Sequence, residues 1–203
     1  KVGGRSVQED IGLVRAVKEV LGTSGSLRLD ANRAWSLEEG VRFARGVSGW
    51  GIEYIEEPLA DPAGLREFAG TCGIPVALDE SLVGMAPETL EKHRYAGAVV
   101  LKPALIGGVS RTLRLAELAL ELGMRPVISS AYEAGVGTAA LVALAAGIGY
   151  EEIPAGLDTY RRLAEDVVEP RLSLPAPRLD VSEAVASGRG VVSSRLITIG
   201  PPR

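Results

Sequence analysis

Four short stretches carry the residues whose types could do chemistry. Leu27-Arg28-Leu29-Asp30, Tyr54-Ile55-Glu56, Ala77-Leu78-Asp79 and Val100-Leu101-Lys102 each lead through apolar residues to a terminal charge, three acids and then a base. If these are neighbouring strands that point the same way, the three carboxylates converge at one end, where unneutralised they would repel and raise one another's pKa. A hard divalent cation resolves that conflict, because Mg2+ takes oxygen ligands and keeps positions open for water or a substrate carboxylate. The plain alternative is that each acid starts a loop or caps a helix, as Asp often does after a strand. One acid alone reads that way; three in successive units, with a lysine closing the next, favour the metal.

Lys102 ends an apolar run and is held by Pro103. A lysine there ordinarily snorkels to solvent. Beside a metal and inside a cavity its ammonium is destabilised, which suits it to acid or base work.

The elements that must position these residues alternate along the chain. β-rich runs lie at 26–30, 53–56, 75–79, 98–102, 126–129 and, more weakly, 153–156. Their ends fall at 30, 56, 79, 102, 129 and 156, each a helix-containing crossover apart, the repeat a parallel sheet requires. Ser6 with Glu9 and Ser36 with Glu39 fit the reciprocal capping box, and Asp61-Pro62 is an N-cap followed by proline. A helix is expected over 111–122, opened by Ser110 and stopped by Gly123, another over 88–95, and a last one over 160–168. A barrel gathers every strand end at one site, whereas an open doubly wound sheet, the alternative, gathers only those near its switch point. The polar strand ends favour the barrel.

Composition narrows the function classes. The chain has 203 residues, 46% hydrophobic and 24% charged, with a net charge of −4, as ordinary globular chains have. No basic stripe with interleaved aromatics appears, so no nucleic acid partner is expected. The longest apolar stretch, 138–148, is too short for a bilayer, so no membrane association is expected either. Cys72 is the single cysteine, which suits a reducing cytoplasm and forms no internal disulfide. Gly135-Val136-Gly137-Thr138-Ala139-Ala140 imitates a dinucleotide fingerprint but lacks a following ribose-binding acid. His93, away from any strand end, reads as structural or solvated, and Cys72, with no histidine arranged beside it, is no nucleophile.

The ordered segments Arg28-Leu29-Asp30-Ala31-Asn32-Arg33-Ala34-Trp35, Ile55-Glu56-Glu57-Pro58, Leu78-Asp79-Glu80-Ser81 and Leu101-Lys102-Pro103 resemble the muconate-lactonising subgroup of the enolase superfamily. Val127-Ile128-Ser129-Ser130 and Gly156-Leu157-Asp158-Thr159 extend the likeness, which covers roughly residues 1–160. The resemblance implies an α/β fold, the (β/α)7β TIM-like barrel. It implies Mg2+, or Mn2+ in its place, on Asp30, Glu56 and Asp79, and a small-molecule carboxylate substrate. Lys1 and Lys102 would be the catalytic acid/base pair, Ser129, Ser130 and Gly156 would bind substrate, and Arg28, Asn32, Glu57 and Glu80 would support the site. Lys1 matches the later lysine of the family's Lys-x-Lys on the second strand. Its earlier partner, the first strand and the N-terminal capping domain are then expected to precede this chain. Residues 1–169 would be a partial barrel, and 170–203, with a β-like stretch at 195–199, a tail packing on the missing cap. Asp158-Thr159-Tyr160 offers one acid where dipeptide epimerases of the subgroup carry Asp-x-Asp.

Overall fold

The computed structural model describes residues 1–23, 25–148, 153–174 and 178–196. These form two compact units, Lys1–Leu101 with Gly108–Pro126, and Lys102–Gly107 with Val127–Arg203.

In the first unit, α1 (Val7–Leu21) starts at Ser6, where both halves of the capping box form, and α2 (Leu37–Gly46) starts the same way at Ser36. The strands are β1 (Leu27–Asp30), β2 (Ile52–Glu56), β3 (Val76–Leu78) and β4 (Ala96–Leu101). Between β2 and β3 runs α3 (Leu65–Cys72), and α5 (Val109–Glu121) leads to β5 (Arg125–Ile128), whose last two residues are counted with the second unit, as is α4 (Pro103–Ile106). The sheet runs strictly in chain order, β1-β2-β3-β4-β5, and β1 with β2, β2 with β3 and β3 with β4 all pair in parallel. A doubly wound sheet reverses at a switch point. This one does not, and sequential parallel βα units are those of a barrel.

Register decides what the strand ends present. Asp30 pairs with Glu56, and Glu56 pairs with Ala77, two residues before Asp79. Val76, Ala77 and Leu78 and the run Ala98–Val99–Val100–Leu101 are buried, as parallel strands covered on both faces must be. The helices close one side through Phe43, Leu65 and Phe68, all fully buried, and the Trp35 and Phe43 rings lie 4.3 Å apart. Burying each such side chain contributes about 2–3 kcal/mol. In the second unit α7 (Val181–Gly188) packs on α6 (Gly135–Gly147), and Ala139, Tyr160, Val168 and Leu172 form a small core.

Several expected elements differ. The 88–95 helix is a 3₁₀ turn, Pro87–His93, tightened where the Thr89 N–H and hydroxyl both donate to the Ala86 carbonyl. α5 begins after Gly108 rather than at Ser110, with no side-chain cap. The 160–168 helix is replaced by a 3₁₀ turn, Asp158–Arg162, followed by irregular chain. The reason is Asp166: its carboxylate takes the Tyr160 hydroxyl and the N–H groups of Gly135 and Val167, which drives residue 166 inward instead of around a helix. The weak strand at 153–156 reduces, among the described residues, to one bridge between Ser129 and Gly156. The β-like stretch at 195–199 opens on a 3₁₀ turn, Ser193–Arg195, and residues 197–199 lie outside the described residues. Among the described residues no helix is long and apolar enough to cross a membrane.

Candidate active site

Asp30 is the last residue of β1, and the chain start runs beside it: the Val2 N–H donates to the Asp30 carbonyl at 2.9 Å. The Lys1 ammonium meets Asp30 Oδ2 and donates to Asn32 Oδ1 at 2.7 Å, and Asn32 Nδ2 donates to Glu80 Oε1 at 3.2 Å. Asp30 Oδ1 accepts the Asn32 N–H at 2.9 Å. Lys1, Asp30, Asn32 and Glu80 are therefore one hydrogen-bonded chain at the C-terminal ends of β1 and β3.

The turn after β1 has two left-handed residues, Asn32 at φ 45 and Arg33 at φ 59. Asn visits this region readily, whereas Arg is strained there and is kept by its surroundings. Those surroundings are the Glu57 carbonyl, which accepts the Arg33 N–H at 2.7 Å, and the Glu57 carboxylate, which accepts from Arg33 Nε at 3.0 Å. Glu57 itself is fully buried at φ 39. Its Oε1 takes the N–H groups of Asp79 at 2.9 Å and Ser81 at 2.7 Å, and its Oε2 takes the Ser81 hydroxyl at 3.0 Å as well. Partners of this kind offset the cost of burying a carboxylate. Arg33 and Ser81 lie within the family-like segments, yet the sequence alone assigned them no role. The signal that could have found them is the need of a buried Glu57 for a cation.

The donors are suited to a hard cation. Glu56 and Asp79 are buried at 9% and 4% exposure, level with or close to Asp30 by register, and all three offer carboxylate oxygen. Nearby, Glu80 Oε2 is buried with no hydrogen-bond partner, an acceptor that a cation or its water would satisfy. Asp30 is at the same time paired with the Lys1 ammonium. Among the described residues no three His, Cys, Asp or Glu side chains stand in ligating geometry.

Arg28, which the resemblance gives a supporting role, pairs through its guanidinium with Glu53 and lies 5.4 Å over the Tyr54 ring. A register shift between Leu27 and Arg28 lets Glu53 turn toward Arg28 and toward Arg125, whose Nη1 is 2.7 Å away. Burial raises the Glu53 carboxyl, but the two guanidiniums outweigh it and hold the pKa below the ordinary value. Burial pushes Tyr54 up to about 12.

In the second unit Lys102 is half-buried at the N-cap of α4, and its carbonyl accepts from the N–H groups of Leu105 and Ile106. The hydroxyls of Ser129 and Ser130 both donate to the Gly156 carbonyl, at 3.2 and 3.0 Å. Thr159, which sequence reasoning did not single out, adds a hydroxyl 2.6 Å from that of Ser130 and accepts the Tyr132 N–H at 3.2 Å. A Cβ on Gly156 would stand 2.9 Å from Ser129 Oγ, so a side chain there would displace that hydroxyl.

Burial raises the Cys72 thiol and lowers the His93 imidazole, whose Nδ1 lies 2.9 Å from the Tyr95 hydroxyl. The glycine-rich start of α6 is occupied by the chain's own Asp166, which takes the Gly135 N–H at 2.8 Å.

Residues 1–195 match the family described as enolase C-terminal domain-like, and the chain belongs to it. Over 186 residues it is 40% identical to an o-succinylbenzoate synthase of Thermobifida fusca (strain YX), a match that takes in 89% of this chain and 58% of that protein. The chain thus spans less than two thirds of that relative's length. Among solved structures it resembles a muconate lactonizing enzyme from Pseudomonas fluorescens complexed with muconolactone, with TM-score 0.74 and 31% identity over 84% of this chain and 47% of that one. It also resembles the L-Ala-D/L-Glu epimerase from Bacillus subtilis, with TM-score 0.73 and 27% identity over 83% and 48% of the two chains.

Proposed function

We propose that the protein carrying this chain is an o-succinylbenzoate synthase, a dehydratase that converts 2-succinyl-6-hydroxy-2,4-cyclohexadiene-1-carboxylate into an aromatic product for menaquinone biosynthesis. The observation that carries the reading is the cluster at the end of β1, where Lys1 stands on Asp30 and Asn32 while β-sheet register sets Glu56 level with Asp30. The 40% identity to the Thermobifida fusca synthase supports the particular substrate.

In this reading Asp30, Glu56 and Asp79 hold Mg2+, with Glu57 and Glu80 supporting them. When bound, the metal supplies positive charge to the substrate carboxylate, worth several kcal/mol as the α-proton leaves. Lys1, as the free amine, takes that proton, and the C–H pair becomes an enediolate. The pair then returns to the ring, the C–OH bond breaks, and the Lys1 ammonium gives its proton to the departing oxygen. Water leaves on the face from which the proton was taken, Lys1 is neutral again and the ring is aromatic. Lys102 remains an ammonium and lends its charge to the ring and the developing anion, partly through cation–π contact. Ser129, Ser130 and Gly156 meet the succinyl tail, and Asn32 orients Lys1.

A second reading, an N-succinylamino-acid racemase with Lys1 and Lys102 as opposed bases, is favoured by the epimerase among the similar structures. A barrel kept only for binding would have no use for the acids and lysines together. The deciding experiment assays the full-length protein side by side on the cyclohexadiene substrate and on N-succinyl amino acids. Faster turnover of the former, lost in Lys1→Ala, is expected; a large preference for the succinyl amino acids would overturn the synthase reading.

A further inference from the structure

Asp10, on the first turn of α1, is 0% exposed, beside the buried Ile11 and Val14. Its Oδ2 accepts the Gly3 N–H at 2.6 Å. Its Oδ1 is buried without a hydrogen bond, and the cation that faces it, Arg5, stands 3.8 Å away on a side chain 55% exposed. A carboxylate withdrawn from water with one oxygen unmet opposes folding. An apolar residue would serve the helix face better, so what Asp10 gains the protein has to lie in the peptide it holds.

That peptide is constrained from the other side as well. Gly3 sits at φ 88, and a Cβ there would meet Ala34 Cβ at 2.5 Å and the Ala31 carbonyl at 2.8 Å. Residues 31–34 are the turn that carries Asn32, the acceptor of the Lys1 ammonium. Between Gly3 and Lys1 stands only Val2, fixed by its N–H on Asp30. We infer that Asp10 is a positioning residue for Lys1: by holding the Gly3 N–H against the 31–34 turn it sets where the Lys1 amine stands relative to Asp30 and Asn32. The inference rests on the reading of Lys1 as the proton-transferring base.

The test uses the full-length protein. Asp10→Leu removes the acceptor without leaving a polar atom buried at residue 10. It is expected to lower kcat roughly 10–100-fold, the cost of misplacing a reacting group by about an ångström. KM should be unchanged, and the primary isotope effect on α-deuterated substrate should grow. Asp10→Asn, whose amide oxygen can still accept from Gly3, should recover most of kcat. Gly3→Ala displaces the same peptide from the opposite side and should reproduce the Asp10→Leu signature, which decides the matter if Asp10→Leu does not fold. Folded Asp10→Leu and Gly3→Ala proteins with wild-type kcat and isotope effect, while Lys1→Ala is inactive, would overturn the inference and leave the reading of Lys1 intact. Turnover that survives Lys1→Ala would instead overturn the reading and, with it, the inference.

Discussion

The Glu57 carboxylate accepts the backbone N–H of Asp79 at 2.9 Å, joining the chain just past the end of β2 to the chain just past the end of β3. Asp79 is thereby held through its main chain, and the same carboxylate fixes Ser81 and Arg33. One buried acid thus organises two of the turns from which the candidate ligands project. Of the adjacent pair Glu56-Glu57, Glu56 ends β2 level with Asp30 by register, and Glu57 ties the turns together.

Replacing Glu57 tests that role. Glu57→Gln keeps the shape but removes the charge opposite Arg33 and one acceptor oxygen. Breaking a fully buried pair costs about 3–5 kcal/mol; Arg33 is about one-third exposed and can be re-solvated, so about 2 kcal/mol is expected in denaturant unfolding. Mg2+ affinity should fall about 10–100-fold, as for other residues that orient ligands. Stability and calorimetric Mg2+ affinity both at wild-type values would remove Glu57 from this role.

The strand ends were legible in the sequence because loop starts and helix caps do not place a charge after an apolar run in one successive unit after another. The capping boxes were legible because both partners lie within one turn. What escaped depended on geometry the pattern does not carry. Arg33 reaches Glu57 only because residues 32 and 33 adopt positive φ. Glu53 should alternate away from Tyr54, and only the register shift beside Arg28 brings it to the arginines. Asp10 looks like a solvated acid in the first turn of a capped helix, yet it is fully buried. Leu163 and Val167 are spaced as on a helix, but the buried Asp166 between them redirects the chain.

Asp166 gives a pH dependence with a defined sign. Burial raises its pKa, but the Tyr160 hydroxyl and the N–H groups of Gly135 and Val167 outweigh burial and hold it below the ordinary carboxylate value. A depressed folded-state pKa means a contribution to stability that is complete above the unfolded value near about 3.9 and lost as pH falls through the folded one. Unfolding free energy should therefore decline with acidification below about pH 4, and Asp166→Asn should flatten that limb while lowering stability at neutral pH. An acid limb of the same slope in Asp166→Asn would assign the acid sensitivity to other carboxylates.

The Lys1–Asp30 pair predicts a gain of metal affinity on losing the lysine. The ammonium competes with a cation for Asp30, and its side chain is 69% exposed, so the pair is worth no more than about 1 kcal/mol. Lys1→Ala should accordingly bind Mg2+ up to about fivefold more tightly while losing turnover. Asp79→Asn should bind it far more weakly. A Lys1→Ala protein with reduced Mg2+ affinity would show that the lysine assists the metal site instead of competing with it.

The pairing of Glu53 with Arg28 and Arg125 predicts a salt-sensitive loss of stability. Glu53→Gln leaves two guanidiniums facing a neutral amide with Tyr54 beside them. Arg125 is 40% exposed and recovers hydration, whereas Arg28 at 24% recovers less, so about 1–2 kcal/mol is expected rather than the value for a fully buried triad. The mutual repulsion of the arginines adds to the loss, and salt screens it over about 10 Å at about 0.1 M. Raising the ionic strength should therefore restore part of the stability of Glu53→Gln while weakening the wild-type cluster, so that the two unfolding curves approach one another. Curves that stay equally far apart from low to high salt would mean that Glu53 acts through packing and hydrogen bonding, not through charge.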